Sequence, residues 1–507
     1  MTARARREDA ATAAPEVRTA SGAVRGRWSG GVGVFLGIPF AAAPVGPRRF
    51  AAPQPVRPWD GVRAASDFGP PPPQPIGIPG GTGDDWLTVN VWSPDPGRDA
   101  GLPVLVWIHG GAYLLGGSSQ PGYDGARLAR DGGVVVVTLN YRVGVEGFAQ
   151  LDGAPPNRGL LDQVAALEWV RDNVRGFGGD PGRVTIFGES AGAGSAAALL
   201  AMPSAAGLFG RVIAQSVAGT FFSAPLAADV GAVLAAAAGR RPSATELAEV
   251  EPARLVAAGD AVAADLGSHE HRWGPVARTT TPFAPVVDGE VLPVAPWQAL
   301  AAGAGRDVDL LVGHTRDEQR LFTWLDGRLG AVTEQEAATA LRVFAPGPDG
   351  ARRYREAHPD AGPERLDELV RSDWLFRMPS LHLAEAQLAG GGRAHLYELT
   401  WTAPAADGPR GACHGLDVPL VFGTAGADLG ARLIGADFTP AAEELSAHVR
   451  AAWVAFAVGG DPGWPAYDLD DRPTRVLDVP PAVTGYPEET SRRIWRDHVF
   501  APLPLLG

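Results

Sequence analysis

Lysine is absent from this sequence of 507 residues, so all 44 residues counted as Lys or Arg are arginines. A chain without an amine side chain cannot use a Schiff-base lysine, a Ser-Lys pair or pyridoxal phosphate bound to lysine. It also cannot form the phosphate-binding loop that ends in a lysine. The missing lysines therefore exclude several enzyme classes before any motif is considered.

Cysteine occurs once, at Cys413, so the chain cannot form an internal disulfide and needs no oxidising compartment. The beginning of the chain, M-T-A-R-A-R-R-E-D, has basic residues but lacks the apolar run of a secretory signal. No later apolar run reaches the length of a membrane span. We expect a cytoplasmic protein with no membrane partner, in which residues 1–15 form a disordered lead.

The chain also has no excess of positive charge, because its formal net charge is −13. Nucleic-acid binding depends on cationic surface that displaces counterions from phosphates, so we expect no nucleic-acid partner. The hydrophobic content of 45% is sufficient for a large core.

Short β-branched or apolar runs bounded by Gly, Asp or Asn alternate with helical patterns along the chain. Continuous apolar runs are typical of strands buried on both faces of a parallel sheet. The predicted strands are Val104–Ile108, Val134–Leu139, Val184–Phe187, Val212–Ala214, Leu310–Val312 and the segment A-H-L-Y-E-L at 394–399. Apolar residues from Leu160 to Val174 recur at helical spacing and predict a crossover helix between two of these strands. The fold class is therefore α/β, with a large and mostly parallel central sheet that has helices on both faces.

Two further segments differ from this pattern. The N-terminal stretch from Thr19 to Phe40 is interrupted by glycine pairs, which predicts a small antiparallel sheet. The proline-rich stretch P-P-P-P-Q-P-I-G-I-P-G-G-T-G at 70–83 is the strongest linker candidate, although a surface loop of one large domain would have the same composition. We expect residues 16–507 to form a single domain.

The stretch V-T-I-F-G-E-S-A-G, from Val184 to Gly192, places a serine between a predicted strand and a helix with a slim start. Such a sharp turn strains the serine backbone, exposes its hydroxyl and requires small neighbours. The same turn directs the next backbone N–H, that of Ala191, towards the reacting carbonyl. A crowded structural turn is the alternative, but this context favours Ser190 as a nucleophile.

A serine hydroxyl needs a general base, and the base needs an orienting acid. Asp317 and Glu318 follow a predicted strand in G-H-T-R-D-E-Q, and His414 lies later in G-A-C-H-G, which gives the order serine, acid, histidine. His314 is the competing base, but it precedes the acid. We interpret His358, His382 and His448 as surface or packing residues, and composition alone does not separate Asp317 from Glu318.

The tetrahedral intermediate also needs backbone N–H donors for its oxyanion. The strand V-L-V-W-I opens into H-G-G-A-Y, where Gly110, Gly111 and Ala112 have no bulky side chain that would keep a carbonyl oxygen away. This resembles the H-G-G-G type of oxyanion loop.

Several longer blocks resemble the type B carboxylesterase and cholinesterase family of the α/β-hydrolase superfamily, in a compact bacterial form similar to para-nitrobenzyl esterases. They extend from about Val17 to Trp495, and the most specific is N-R-G-L-L-D-Q-V-A-A-L-E-W-V-R-D-N-V-R-G-F-G-G-D-P-G-R-V-T-I-F-G-E-S-A-G at 157–192. Others are F-L-G-I-P-F-A-A-A-P-V-G-P-R-R-F, N-Y-R-V-G-V-E-G-F, F-A-P-V-V-D-G and W-V-A-F-A-V-G-G-D-P.

The resemblance implies hydrolysis of a small-molecule carboxylic ester through an acyl-enzyme, with no metal or organic cofactor. Helical cap insertions are expected at roughly 221–278 and 325–390. The implied triad is Ser190, Glu318 and His414, and the implied oxyanion donors are the N–H groups of Gly111, Ala112 and Ala191.

Two departures from the family pattern bear on the site. Gln319 stands where glycine usually follows the acid, and Ala193 replaces a frequent glycine in the turn. An acyltransferase, an amidase or a lactonase could use the same triad. A non-catalytic binding protein on the same scaffold is a further alternative, although such relatives have lost the serine.

Overall fold

The computed structural model describes residues 13–97, 99–402 and 410–507. Residues 1–12 of the predicted disordered lead lie outside the described residues. The segment at 70–83 is described in full, as are all predicted site residues.

The strands predicted from apolar runs are all present, with somewhat different ends. In chain order the strands are β1 Glu16–Arg18, β2 Ala23–Arg25, β3 Arg27–Ser29, β4 Val32–Pro39, β5 Val62–Ala64, β6 Thr88–Ser93, β7 Leu102–Ile108, β8 Val135–Leu139, β9 Gly179–Glu189, β10 Arg211–Gln215, β11 Phe222–Ser223, β12 Val286–Val287, β13 Asp309–Thr315, β14 Ala394–Leu399, β15 Thr474–Leu477 and β16 Ala482–Thr484.

A large mixed sheet runs in the order β16-β15-β14-β13-β10-β9-β7-β8-β6-β4-β3. Its central strands are parallel: β7 pairs with β8 and β9, β10 pairs with β9 and β13, and β14 pairs with β13 and β15. The strands at both ends of this order, β6, β4 and β3 on one side and β16 on the other, are antiparallel to their neighbours. The prediction of a large and mostly parallel sheet is confirmed.

The N-terminal strands differ from the prediction, because they divide between two sheets. Strands β3 and β4 join the large sheet, whereas β1 and β2 form a small sheet with β5. In the small sheet β1 and β2 are antiparallel, but β2 and β5 are parallel. The partner strand β5 comes from beyond the glycine-rich stretch, so local turns could not reveal it.

α-Helices cover both faces of the large sheet, and others pack on these helices. They are α1 Ala126–Gly132, α2 Gly144–Phe148, α3 Arg158–Asn173, α4 Ala191–Ala201, α5 Ala224–Ala237, α6 Ala244–Ala248, α7 Pro252–Ala264, α8 Glu270–Trp273, α9 Pro296–Ala301, α10 Arg320–Leu325, α11 Glu334–Phe344, α12 Gly350–Ala357, α13 Pro363–Ser372, α14 Met378–Ala389, α15 Asp417–Phe422, α16 Asp428–Leu433, α17 Pro440–Gly459 and α18 Glu489–Trp495. Helix α3 confirms the predicted crossover helix. Within the described residues, none of these helices combines the length and apolar character needed to cross a bilayer.

Successive side chains of a strand point to opposite faces of the sheet, and β7 shows the consequence. Val104, Val106 and Ile108 belong to one buried cluster, whereas Leu105 and Trp107 belong to another. Both faces are therefore covered, which explains why the run V-L-V-W-I is apolar throughout rather than alternating.

The parallel strands bring the predicted site residues to one edge of the sheet. Ser190 follows β9, the segment Gly110–Ala112 follows β7, Glu318 follows β13, and His414 lies in the connection after β14. Because parallel strands end at the same edge, loops that are far apart in sequence meet there.

Candidate active site

Ser190 lies between the last residue of β9 and the first residue of α4. Its backbone has φ 59° and ψ −122°, a conformation that residues with a Cβ rarely adopt. The surrounding hydrogen bonds hold it there: the Ser190 N–H donates to the Gln215 carbonyl at 2.9 Å, and the Gly194 N–H donates to the Ser190 carbonyl at 2.9 Å. A non-glycine residue with such a backbone typically stores about 1–3 kcal/mol of strain, often at functional sites.

The small residues around Ser190 are required by close packing of the strand and the helix. A Cβ at Gly192 would lie 2.0 Å from the Ile108 carbonyl oxygen, and one at Gly188 would lie 2.7 Å from the same oxygen. Ala193 is completely buried, so the extra methyl group that distinguishes it from glycine is accommodated in the packed turn. The strain at Ser190 and the close contacts of these glycines are the geometry that the G-x-S-x-G pattern predicts.

His414 is buried against Glu318. The His414 Nδ1 atom lies 2.5 Å from Glu318 Oε2, while Glu318 Oε1 accepts hydrogen bonds from Ser216 Oγ at 2.6 Å and from the Thr315 N–H at 2.8 Å. Burial by itself raises the pKa of Glu318, but the neighbouring His414 and the accepted hydrogen bonds outweigh it and lower the pKa. The carboxylate is thus kept ionised and oriented towards the imidazole ring.

Asp317, the alternative acid, has different partners. Its Oδ2 accepts a hydrogen bond from the Ala412 N–H at 3.0 Å, and its Oδ1 lies 3.5 Å from the guanidinium of Arg320. Asp317 therefore braces the loop that carries His414, whereas Glu318 contacts the His414 ring.

His314, the competing base, does not line the cavity that Ser190 and His414 share. It is fully buried, and its ring nitrogens lie 3.0 Å from the Thr315 carbonyl and 2.9 Å from Tyr486 Oη. Burial lowers its pKa to about 4, so it is a neutral histidine with two structural hydrogen bonds.

A cavity of about 490 Å³ lies at this edge of the sheet. Its lining includes Ser190, His414, and the three residues predicted to donate to an oxyanion, Gly111, Ala112 and Ala191. Ala112 has φ 55°, so the loop that carries two of these predicted donors also has left-handed backbone. Most of the remaining wall is apolar, with Phe222, Phe283, Phe322, Leu325, Leu375 and Phe376 among its residues.

Both segments predicted as cap insertions contribute to this wall. Phe222 and Val276 come from 221–278, and Leu375 and Phe376 come from 325–390. The cavity therefore opens between the sheet edge and these helical segments, although Phe283 and Phe322 show that its lining extends beyond the predicted boundaries.

Glu189 is an ionisable residue at the site that the sequence did not single out. Its Oε1 lies 3.0 Å from His414 Nε2, on the opposite side of the ring from Glu318. Burial raises the pKa of Glu189. Burial alone would lower the pKa of His414, but the carboxylates of Glu189 and Glu318 outweigh it and raise that pKa. Its position directly before Ser190 was the sequence feature that could have pointed to it. The sequence could not show that its side chain lies beside the His414 ring.

Comparisons with known proteins identify the family of this chain. The model of the carboxylesterase family matches residues 13–491. The chain is similar to a para-nitrobenzyl esterase of Bacillus subtilis (strain 168), with 37% identity over 495 residues that cover 94% of this chain and 97% of the relative. A fumonisin B1 esterase of Sphingopyxis macrogoltabida is 36% identical over 487 residues, which cover 89% of this chain and 84% of the relative.

Solved structures show the same relationship. A PNB esterase structure has a TM-score of 0.84 at 36% identity and covers 95% of this chain and 99% of its own. A carboxylesterase of Geobacillus stearothermophilus has a TM-score of 0.83 at 36% identity, with the same coverage of 95% and 99%. The chain belongs to the carboxylesterase family and is a carboxylic ester hydrolase with the α/β-hydrolase fold.

Proposed function

We propose that the enzyme hydrolyses small-molecule esters with Ser190 as nucleophile, His414 as general base and Glu318 as the acid that orients His414. The observation that carries the proposal is the contact of 2.5 Å between Glu318 and His414, because the His414 ring lines the same cavity as Ser190, a serine at φ 59°. An acidic hydrogen-bond partner at Nδ1 leaves Nε2 unprotonated and able to accept a proton.

In the first step, Ser190 Oγ attacks the ester carbonyl carbon while His414 Nε2 takes the hydroxyl proton. The carbonyl oxygen becomes an oxyanion, which the N–H groups of Gly111, Ala112 and Ala191 stabilise. The intermediate collapses as the bond to the alcohol oxygen breaks, and His414 returns the proton to the leaving alkoxide. Water then attacks the acyl-enzyme with His414 again as the base, which releases the carboxylic acid and restores Ser190.

The apolar wall of the cavity favours an apolar group on at least one side of the ester bond. We further propose that residues 16–507 form one catalytic domain in which 221–278 and 325–390 form the cap that selects substrates. The cytoplasmic location stays a prediction.

A fluorophosphonate probe tests the proposed nucleophile directly. We expect covalent modification of Ser190, detected by peptide mass spectrometry, together with loss of esterase activity in proportion to labelling. The phosphorus centre is attacked as the ester carbonyl is, and its oxygen occupies the oxyanion site. Modification of another residue in the inactivated enzyme, or no modification of active enzyme, would contradict the proposal.

The contact between Glu189 and His414 leads to a prediction for the pH dependence of kcat/KM. Because general-base catalysis needs neutral His414, kcat/KM should rise with pH through the pKa of His414, which the nearby carboxylates raise. Replacing Glu189→Gln removes one of these carboxyl groups, whose ionised form favours protonated His414, so we expect the acidic limb to move to lower pH by about one to three units.

The pH profile of kcat/KM for p-nitrophenyl butanoate measures this shift. Asp326→Asn is the matched control, since Asp326 is an exposed carboxylate in the lining of the same cavity. An acidic limb that stays in place in Glu189→Gln, or moves equally in Asp326→Asn, is the result that would reject this role for Glu189.

A further inference from the structure

The loop after β7 folds back on itself between Gly110 and Gly116. The N–H groups of Leu114 and Leu115 both donate to the Gly111 carbonyl at 3.0 Å. At the far end of the loop, a Cβ on Gly116 would lie 2.6 Å from the Gly110 carbonyl oxygen. The two ends of the loop are therefore in direct contact, with the proposed oxyanion donors Gly111 and Ala112 between them.

This loop has an unusual concentration of left-handed backbone. Gly111 has φ 109°, Ala112 has φ 55°, Tyr113 has φ 57° and Gly116 has φ 119°. For the two non-glycine residues this conformation is costly, so the loop needs contacts from outside to keep its shape. Its beginning is held by Tyr141, whose hydroxyl donates to the His109 carbonyl at 2.7 Å.

The end of the loop is held by Gln74, from the proline-rich segment at 70–83. Gln74 Nε2 donates to the Gly116 carbonyl at 2.9 Å, and the Gly116 N–H donates to Gln74 Oε1 at 2.8 Å. One side-chain amide thus satisfies both backbone groups of the residue that closes the loop. A third contact, from Gln74 Nε2 to the Pro72 carbonyl at 3.1 Å, ties the same amide to its own segment.

The neighbouring prolines make Gln74 a stiff support. Pro73 and Pro75 flank it, and a proline ring fixes its own φ and restricts the residue before it. The Pro70 carbonyl also accepts a hydrogen bond from Asn140 Nδ2 at 3.1 Å, directly after β8. The segment that composition marked as a linker candidate therefore lies against the edge of the sheet that carries the site.

We propose that Gln74 is a positioning residue that holds the Gly111 and Ala112 N–H groups in the geometry needed to bind the oxyanion. It touches no reacting atom and acts through Gly116, whose contact with Gly110 closes the loop. The inference rests on the proposed role of Gly111 and Ala112 as donors. A donor must be in place before charge develops on the oxygen, so a loosened loop lowers the rate of the chemical step more than it weakens substrate binding.

Replacing Gln74→Ala is expected to lower kcat for p-nitrophenyl butanoate by about tenfold to a hundredfold, with KM changed less than about threefold. Complete loss of one good donor costs about a hundredfold to a thousandfold, and displaced donors retain part of their effect. Gln74→Met, which keeps the length of the side chain but neither of the hydrogen bonds to Gly116, should give a similar loss. It also provides a second variant if the alanine variant does not fold.

A pair of inhibitors separates positioning from a general structural role. An alkyl trifluoromethyl ketone forms a hemiketal oxyanion with the serine, whereas the corresponding alcohol fills the same cavity without an oxyanion. In both Gln74 variants the affinity for the ketone should fall by the same factor as kcat, while the affinity for the alcohol stays within about twofold. Gln54→Ala, at an exposed glutamine whose amide donates to the Ala52 carbonyl, should leave kcat and both affinities unchanged.

Wild-type kcat in folded Gln74→Ala and Gln74→Met would overturn the inference, and so would an equal loss of affinity for the ketone and the alcohol. Failure of the proposed function would give a different set of results. If Ser190→Ala kept wild-type activity, the proposed nucleophile would be wrong whatever the Gln74 variants did. If Ser190→Ala were inactive and the Gln74 variants fully active, only the role of Gln74 would be wrong.

Discussion

Replacing Ser190→Ala is expected to lower kcat for p-nitrophenyl butanoate by about 10⁴- to 10⁶-fold, the range found when the nucleophile of a catalytic triad is removed. The variant keeps the backbone N–H groups of Gly111, Ala112 and Ala191, so some rate enhancement over the uncatalysed reaction should remain. The substitution deletes one hydroxyl group from a turn in which Ser190 makes its described hydrogen bonds through the backbone, to Gln215 and Gly194. The fold should therefore be retained.

Ser195→Ala is the matched control for this experiment. Ser195 is a completely buried serine of α4, the helix that follows Ser190, and its hydroxyl accepts a hydrogen bond from Gln163 Nε2 at 3.1 Å. Its loss should affect thermal stability more than kcat, because the side chain belongs to the packing of α3 against α4. An active Ser190→Ala enzyme, or an equal loss of kcat in both variants, would reject Ser190 as the nucleophile.

The sequence predicted best those elements in which a short local pattern is compatible with only one structure. Continuous apolar runs became β7, β8, β9, β10 and β13, because a strand covered by helices on both faces needs apolar residues at every position. The small residues around Ser190 were predictable for the same reason, since only glycine fits against the Ile108 carbonyl at Gly192. In both cases the cause lies within a few residues of its effect or in one adjacent strand.

The contacts that sequence could not predict join loops that are distant along the chain. Glu189 meets His414 across 225 positions, and Gln74 meets Gly116 from a segment whose composition indicated only a loop or linker. Composition describes the backbone of such a segment but not the direction of one side chain in it. The division of the N-terminal strands between two sheets has a similar origin, because β5 supplies a partner from outside the local pattern.

The choice between Asp317 and Glu318 was left open by composition for a related reason. Adjacent residues of a turn point in different directions, and the tertiary contacts decide which one faces the ring. Asp317 is drawn to the Ala412 N–H, whereas Glu318 is drawn to Thr315, Ser216 and His414. These two carboxylates provide the sharpest test of the orienting acid, since they are neighbours with separate partners.

Replacing Glu318→Gln is expected to lower kcat/KM by about 10⁴-fold, the loss that follows when the acid of a triad becomes an amide. The Thr315 N–H and the Ser216 hydroxyl both donate to Glu318 Oε1, so the single oxygen of the glutamine amide should remain at that position. Its NH₂ group would then face His414 Nδ1 and donate to it. That tautomer places the ring proton on Nε2, which can no longer accept the proton of Ser190.

Asp317→Asn should lower kcat/KM by less than about tenfold, because its amide oxygen can still accept the hydrogen bond from the Ala412 N–H. The variant loses the negative charge that attracts Arg320 and Arg365, whose guanidinium nitrogens each lie 3.5 Å from Asp317 Oδ1. Both variants keep the size of the original side chain, and thermal unfolding should show that both fold. An inactive Asp317→Asn enzyme beside a fully active Glu318→Gln enzyme would assign the orienting role to Asp317. The expected order of losses would instead support Glu318 as the group that fixes the tautomer of His414.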